Sequence, residues 1–183
     1  MNNYRPVSNL TFLSKIIEKT VASRLNTHVM NTGCFPKFQS AYRQCHSTET
    51  ALLRVHNDIV RLVGQGETVA LVLLDLSAAF DTIDKTILIE RLSSDFGIRG
   101  NALAWFRSYH NDRSMSVKIN EVESSHRGVD FGVPQGSILG PILYQLYTAP
   151  LESIIKKYGL SFHIYADDTQ IYISISNESN SIY

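Results

Sequence analysis

An α+β fold, with helices packed on one face of a mainly antiparallel sheet, is the architecture this sequence predicts. Three observations carry that reading. Two helical apolar patterns occupy the first 62 residues, a continuous apolar run "VALVLL" covers residues 69–74, and the alternating stretch "SFHIYADDTQIYISI" spans residues 161–175. With 183 residues, 44% of them hydrophobic, the chain can bury a core as one domain or as one domain with a small appendage, which excludes a disordered or collagen-like chain.

After "RPVSNL", Leu13, Ile16, Ile17, Val21, Leu25 and Val29 recur at three- and four-residue steps. That spacing predicts a helix with one apolar stripe, Lys15, Glu18 and Lys19 on its other side, and an end near Gly33. A second helix follows "CHSTE", with Ser47 as its cap, Glu49 in its first turn, and Leu52, Val55, Ile59 and Leu62 along one face before Gly64 and Gly66. The run before Asp75 is continuous instead of alternating, as expected of a central strand covered on both faces. Beyond it, Ile83, Ile87, Leu88 and Leu92 have helical spacing with Gly97 as a stop, and "NALAWFRSYHN" reads as another short helix. "SMSVKI" and "GVDFGV" read as strands around a polar turn. "GVPQGSILGP" at 132–141 is a Gly- and Pro-punctuated loop, and the helix after it is broken or bent at Pro150. In the closing hairpin, Phe162, Ile164 and Ala166, then Ile171, Ile173 and Ile175, alternate with polar neighbours, and Asp167 and Asp168 sit at the bend.

Formal net charge is zero, but residues 1–61 hold eight Lys/Arg against three Asp/Glu and residues 62–183 hold nine against fourteen. A basic front and an acidic back suit an anion-binding region and a cation-binding one, although a mixed solvated surface gives the same totals. Cys34 and Cys45 lack zinc-site spacing and read as reduced, structural residues. No apolar run approaches the roughly 20 residues of a membrane helix, and the start has no secretory pattern. An intracellular, soluble protein is expected.

Asp is a common turn residue, so the bend alone has a plain explanation. Asp75 is different, because it ends an apolar run where an isolated charge requires a partner, a metal or a helix N-terminus. Three carboxylates meeting at one place repel unless a hard divalent cation neutralises them. Magnesium takes oxygen ligands and leaves positions open for phosphates, and two such ions about 3.5–4 Å apart clamp the oxygens of a phosphoryl transfer. Nucleotidyl transfer is the chemical class this pattern points to.

"LLDLSAAFDTID", "GVPQGSILGP" and "YADD", in this order, resemble the three palm motifs of reverse transcriptases. "YRPVSNLTFLSKIIEKTVASRL" and "QSAYRQCHSTETALL" resemble the fingers motifs of the non-long-terminal-repeat, LINE-type branch. That resemblance implies a partial right-hand polymerase fold without a thumb, fingers-like over residues 1–66 and palm over 67–183. It also implies an RNA-directed DNA polymerase that takes an RNA template, a DNA primer and dNTPs, with two Mg2+ ions or Mn2+ in their place. By motif position, Asp75 and Asp167 hold the ions, Asp168 is the neighbouring acid, and the Leu76 carbonyl is a further ligand. Phe80 matches the steric gate against a 2′-hydroxyl, or reads without the motif as a core aromatic at a helix start. Backbone amides of Ser77, Ala78, Ala79 and Phe80, at a strand-to-helix junction, are candidates for triphosphate oxygens. Arg43 and Arg5 match basic fingers positions that grip the triphosphate, and as surface residues they would simply be solvated. Gln135 and Gly136 match the loop bordering the nascent base pair. His110 stands where the family commonly has an apolar residue. The resemblance implies a fragment of a larger retroelement polyprotein, or a gene over a decayed copy of one. Two alternatives stay open: an inactive remnant that at most binds nucleic acid, and, more remotely, another nucleotide-handling palm such as a cyclase.

Overall fold

A computed structural model describes Ser8 and residues 10–76 and 78–175. In chain order the elements are α1 (Phe12–Asn31), α2 (Thr48–Gly64), β1 (Thr68–Leu74), α3 (Lys85–Ser94), α4 (Gly100–His110), β2 (Ser114–Met115), β3 (Lys118–Ile119), β4 (Val122–Glu123), β5 (Arg127–Gly128), α5 (Gly140–Thr148), α6 (Pro150–Lys157), β6 (Ser161–Tyr165) and β7 (Asp168–Ile175). They fall into two compact units, each built from two separated stretches: Met1–Phe35 with Ala78–Tyr147, and Pro36–Ser77 with Thr148–Tyr183. Among the described residues no helix is long and apolar enough to cross a membrane. Cys34 and Cys45 are free thiols, both exposed.

In the first unit, Thr11 caps α1 by accepting from the Ser14 amide, and Gly33, at φ +67°, follows its end. The helix lies where its spacing predicts, but its buried face does not. Glu18, Ala22, Leu25 and Val29 are buried, whereas Leu13, Ile16 and Ile17 are exposed. The inward stripe therefore begins with a carboxylate, which is sustainable only because that carboxylate is hydrogen-bonded. Asp84 caps α3 through the Thr86 and Ile87 amides, and Ile83, Leu88 and Leu92 are fully buried with Leu139, Leu143 and Leu146 of the loop and helix α5. His28 Nε2 and the Phe96 carbonyl, 2.7 Å apart, tie α1 to the end of α3. The strands predicted between 114 and 133 form only two short ladders, β2 with β5 and β3 with β4. All four are exposed, so no buried face extends them.

The second unit is a three-stranded antiparallel sheet in the order β1-β7-β6. Helix α2 packs on β1 and β6, and α6 on β6. Ser47 caps α2 in a capping box with Thr50, and Pro150 opens α6, which accounts for the break predicted there. On α2 the buried positions are Ala51 and Val55, while Leu52 is exposed. Ile155, Phe162 and Ile164 form the core, with Phe38, Leu151, Leu160 and Ile171 against it. The reading of β1 as a central strand is overturned: it is an edge strand among the described residues, and Leu71, Val72, Leu73 and Leu74 are exposed. A continuous apolar run shows that both faces avoid water, without showing that this chain alone covers them. On β7, too, Thr169 and Tyr172 are the buried residues, whereas Ile173 and Ile175 are exposed.

Candidate active site

The closing hairpin delivers the acids. Tyr165 pairs with Asp168, leaving Ala166 and Asp167 as a two-residue bend, and Ala166 has φ +57°. A positive φ at the first central position is what a primed hairpin turn requires, so Ala166 accepts a conformation that an alanine adopts only under constraint. Leu74 is the last rung of β1 and pairs with Thr169. One step further on both strands, Asp75 follows Leu74 and Asp168 precedes Thr169. Strand alternation places Asp168 on the face of Leu73, Gln170 and Tyr165, while Asp75 lies one residue beyond the paired part of β1. Asp75 and Asp168 are exposed and Asp167 is half-buried.

The segment before α2 buttresses this bend. Gln39, buried, accepts from the Ala166 amide at 2.9 Å and donates to the Ala166 carbonyl at 3.1 Å. The main chain of 38–40 runs parallel to β6: the Ile164 amide donates to Phe38 O at 2.8 Å, and the Ser40 amide to Ile164 O at 3.0 Å. Ser40 Oγ and His163 Nε2, both buried, lie 2.8 Å apart. Next in line, Tyr42 has φ +55°, and burial together with the nearby Asp167 carboxylate and Tyr165 raises its phenol's pKa. Arg43, half-buried, donates from Nη1 to Gln39 O at 3.3 Å.

In the first unit, residues Ala78–Phe80 form a turn, with Ala78 at φ +57° and the Asp81 amide donating to Ala78 O at 2.8 Å. The helix start expected there lies instead at Lys85, because Asp84 supplies the cap. Ala78–Phe80 are therefore not a helix N-terminus. Phe80 is half-buried, its ring 5.0 Å from that of Tyr144. Gln135 donates from Nε2 to Asp81 Oδ2 at 3.0 Å, and its carbonyl accepts from the Ser8 amide at 2.9 Å. Gly136 is exposed with φ +87°. Beneath this loop, Glu18 accepts from Tyr109 Oη at 2.8 Å and from the Ile138 amide at 2.7 Å. Arg5 and Ser77 lie outside the described residues.

Sequence reasoning missed Gln39 and Glu18. The spacing Glu18, Ala22, Leu25, Val29 was the available signal for the second, since it runs in register with the buried face. Gln39 left no comparable signal, because its partner lies 127 residues away.

The exposed carboxylates at one sheet end, with the adjoining Leu76 carbonyl, are the hard oxygen donors that a hydrated magnesium or manganese ion takes. As they stand, no three or more His, Cys, Asp or Glu side chains among the described residues are grouped into a metal site. The donor chemistry and its placement on the sheet fit such an ion.

A family model described as reverse transcriptase (RNA-dependent DNA polymerase) matches residues 1–183, and the chain belongs to that family. Among its relatives is a probable RNA-directed DNA polymerase from transposon BS of Drosophila melanogaster, 35% identical over 149 residues, which are 81% of this chain and 16% of the relative. The RNA-directed DNA polymerase from mobile element jockey of Drosophila funebris is 31% identical over 176 residues, 93% of this chain and 19% of the relative. The chain thus spans less than a fifth of either relative. These mobile-element polymerases bear out the predicted resemblance. In three dimensions, apo telomerase from Candida tropicalis, truncated from its C-terminal domain, superposes with a TM-score of 0.65 at 13% identity, over 90% of this chain and 35% of that one. Telomerase from Candida albicans, in complex with a fragment of telomeric RNA, gives 0.63 at 15% identity, over 92% of this chain and 31% of the other. The α+β polymerase fold predicted from the sequence is the fold these neighbours share. Reverse transcriptases as a family use divalent metals.

Proposed function

We propose that this chain carries the nucleotidyl-transfer core of an RNA-directed DNA polymerase, which extends a DNA primer on an RNA template from dNTPs. One observation supports the reading most: the β1–β7 register ends at Leu74 and Thr169, one residue short of Asp75 on one strand and next to Asp168 on the other, beside a bend that holds Asp167. Asp75 and Asp167 would hold two Mg2+ ions, with Asp168 adjacent and the Leu76 carbonyl as a further ligand. Bound there, the ions supply charge neutralisation of the triphosphate and activation of the primer 3′-hydroxyl.

The chain's own residues orient and select. Arg43, with Arg5, presents a planar guanidinium fork to triphosphate oxygens. Backbone amides of Ser77, Ala78, Ala79 and Phe80 are further candidate donors to triphosphate oxygens, and Ala78–Phe80 form a turn with Ala78 at φ +57°. The Phe80 ring excludes a 2′-hydroxyl, and Gln135 and Gly136 border the nascent base pair, where glycine admits a close backbone approach. Positioning and charge stabilisation then carry the reaction, with no covalent enzyme intermediate.

Single-nucleotide incorporation on a primed RNA template with Mg2+ tests this. Weak, non-processive extension by the chain, abolished in Asp167→Asn, is the expected result. Salt-sensitive RNA binding by both proteins with extension by neither would overturn the polymerase reading in favour of a nucleic-acid-binding remnant.

A further inference from the structure

Gln39 is 2% exposed, and a primary amide so deeply buried must find partners for its oxygen and its nitrogen. It finds both on Ala166. Its Oε1 accepts from the Ala166 amide at 2.9 Å, and its Nε2 donates to the Ala166 carbonyl at 3.1 Å. The same Oε1 accepts a second bond, from the Ala41 amide at 2.9 Å, which locks the orientation of the side chain. Side chain and main chain therefore face each other as two paired amides around the one residue of the bend that stands at φ +57°.

A non-glycine residue keeps a left-handed conformation only when its surroundings over-determine it. Here the surroundings are Gln39. Freed of those two bonds, the bend can relax toward other turn geometries, and the residue that would swing with it is Asp167, next in the chain. Tyr42, further along the same segment, lies near the Asp167 carboxylate, whereas Ser40 does not reach the bend. Ser40 meets His163 and the Ile164 carbonyl, on strand β6 before the turn.

We propose that Gln39 is a positioning residue: by pairing with both peptide groups of Ala166 it fixes the direction in which Asp167 presents its carboxylate toward the Asp75 end of β1. The proposal rests on the reading of Asp75 and Asp167 as the pair that holds divalent ions. Gln39 touches neither ion nor substrate in this account. It acts as the outer-shell partners of metal ligands do, whose loss typically lowers metal affinity about 10–100-fold.

Two variants and one control test it on the intact chain. Gln39→Met keeps the volume and removes every side-chain hydrogen bond, and Gln39→Asn withdraws the same amide by one methylene. Ser40→Ala removes a neighbouring buried bond without touching the bend. Amide hydrogen exchange and Mn2+ affinity are read on each, with Mn2+ alone as the probe. In Gln39→Met the Ala166 amide should exchange at least tenfold faster while the Tyr172 amide in β7 is unchanged, and Mn2+ affinity should fall by about tenfold or more. Gln39→Asn should show the same changes with smaller amplitude, and Ser40→Ala should bind Mn2+ as the parent does. Mn2+ affinity unchanged in both Gln39 variants would overturn the positioning role, leaving Gln39 a loop anchor. An equal loss in Ser40→Ala would overturn it as well, because the segment and not the amide would then be responsible. A parent chain that binds no Mn2+ at the bend would overturn the metal reading itself and this proposal with it, an outcome distinct from Mn2+ binding that Gln39 does not affect.

Discussion

Acidification should destabilise this protein well above the pH at which its carboxylates protonate, because two imidazoles are buried where a charge is unwelcome. His110, 2% exposed, finds no partner for either ring nitrogen among the described residues, and burial, with Arg113 and Lys85 facing it, pushes its pKa down from 6.5 to about 4. His163, also 2% exposed, is lowered to about 4 by burial and by Arg54 and His46, against the opposing pull of Asp58. A folded pKa below the unfolded one means that the unfolded chain takes up protons the folded chain refuses. Stability is therefore fully present above pH 6.5, is lost as pH falls from 6.5 toward 4, and is flat below that. At pH 5.5 the unfolded imidazole gains about 1.4 kcal/mol from protonation and the folded one almost none, so two residues cost roughly 3 kcal/mol between pH 7.5 and 5.5. Urea unfolding at the two pH values measures this for the parent and for His110→Leu, which should retain about half the loss. Equal parental stability at both pH values, or a full loss persisting in His110→Leu, would refute the reasoning. The burial also accounts for an imidazole where an apolar residue is common: it packs as a neutral ring.

Three further outcomes follow from contacts. Gly132→Ala adds a Cβ 2.9 Å from the Asp81 Cα and 3.0 Å from the Phe80 carbonyl at a residue with φ +85°. Its backbone strain alone should cost roughly 1–3 kcal/mol in urea unfolding, with more from the clash. Glu18→Ala leaves the Tyr109 hydroxyl and the Ile138 amide without their acceptor, a loss of about 2–4 kcal/mol by the same measurement, and Glu18→Gln, which keeps one carbonyl oxygen, should lose less. Leu73→Lys, at a position 70% exposed on the edge strand β1, should shift stability by no more than about 0.5 kcal/mol in the same urea measurement.

What could be read from the sequence and what could not divides along a physical line. Local signals were sufficient for the ends of elements: Ser47 and Pro150 start helices, Gly33 follows one, and a hairpin bend falls at the YADD acids because period-two patterns flank them, although only Asp167 is in the bend and Asp168 is the first residue of β7. Faces and partners were harder. Leu13, Ile16 and Ile17 have the spacing of a buried stripe, yet the helix turns Glu18 inward, since only the distant Tyr109 and Ile138 make that carboxylate tolerable. Val72 and Leu73 read as central-strand residues because hydrophobicity reports aversion to water and not the presence of a neighbour. The late start of α3 was missed for a similar reason. Apolar spacing extends back through Ile83, but the cap is Asp84, and the turn before it belongs to Ala78–Phe80. Of the candidate site, the acids were legible as chemistry, whereas the β1–β7 register and the Gln39 buttress depend on residues far apart in the chain.

The central claim is that Asp75 and Asp167 bind divalent ions jointly, and calorimetric Mn2+ titration of a double-mutant cycle tests it most directly. Asp75→Asn and Asp167→Asn should each weaken binding strongly, and the double variant should be scarcely weaker than either single one, as befits two ligands of shared ions. Losses that simply add, or titrations indistinguishable from the parent in both single variants, would contradict it.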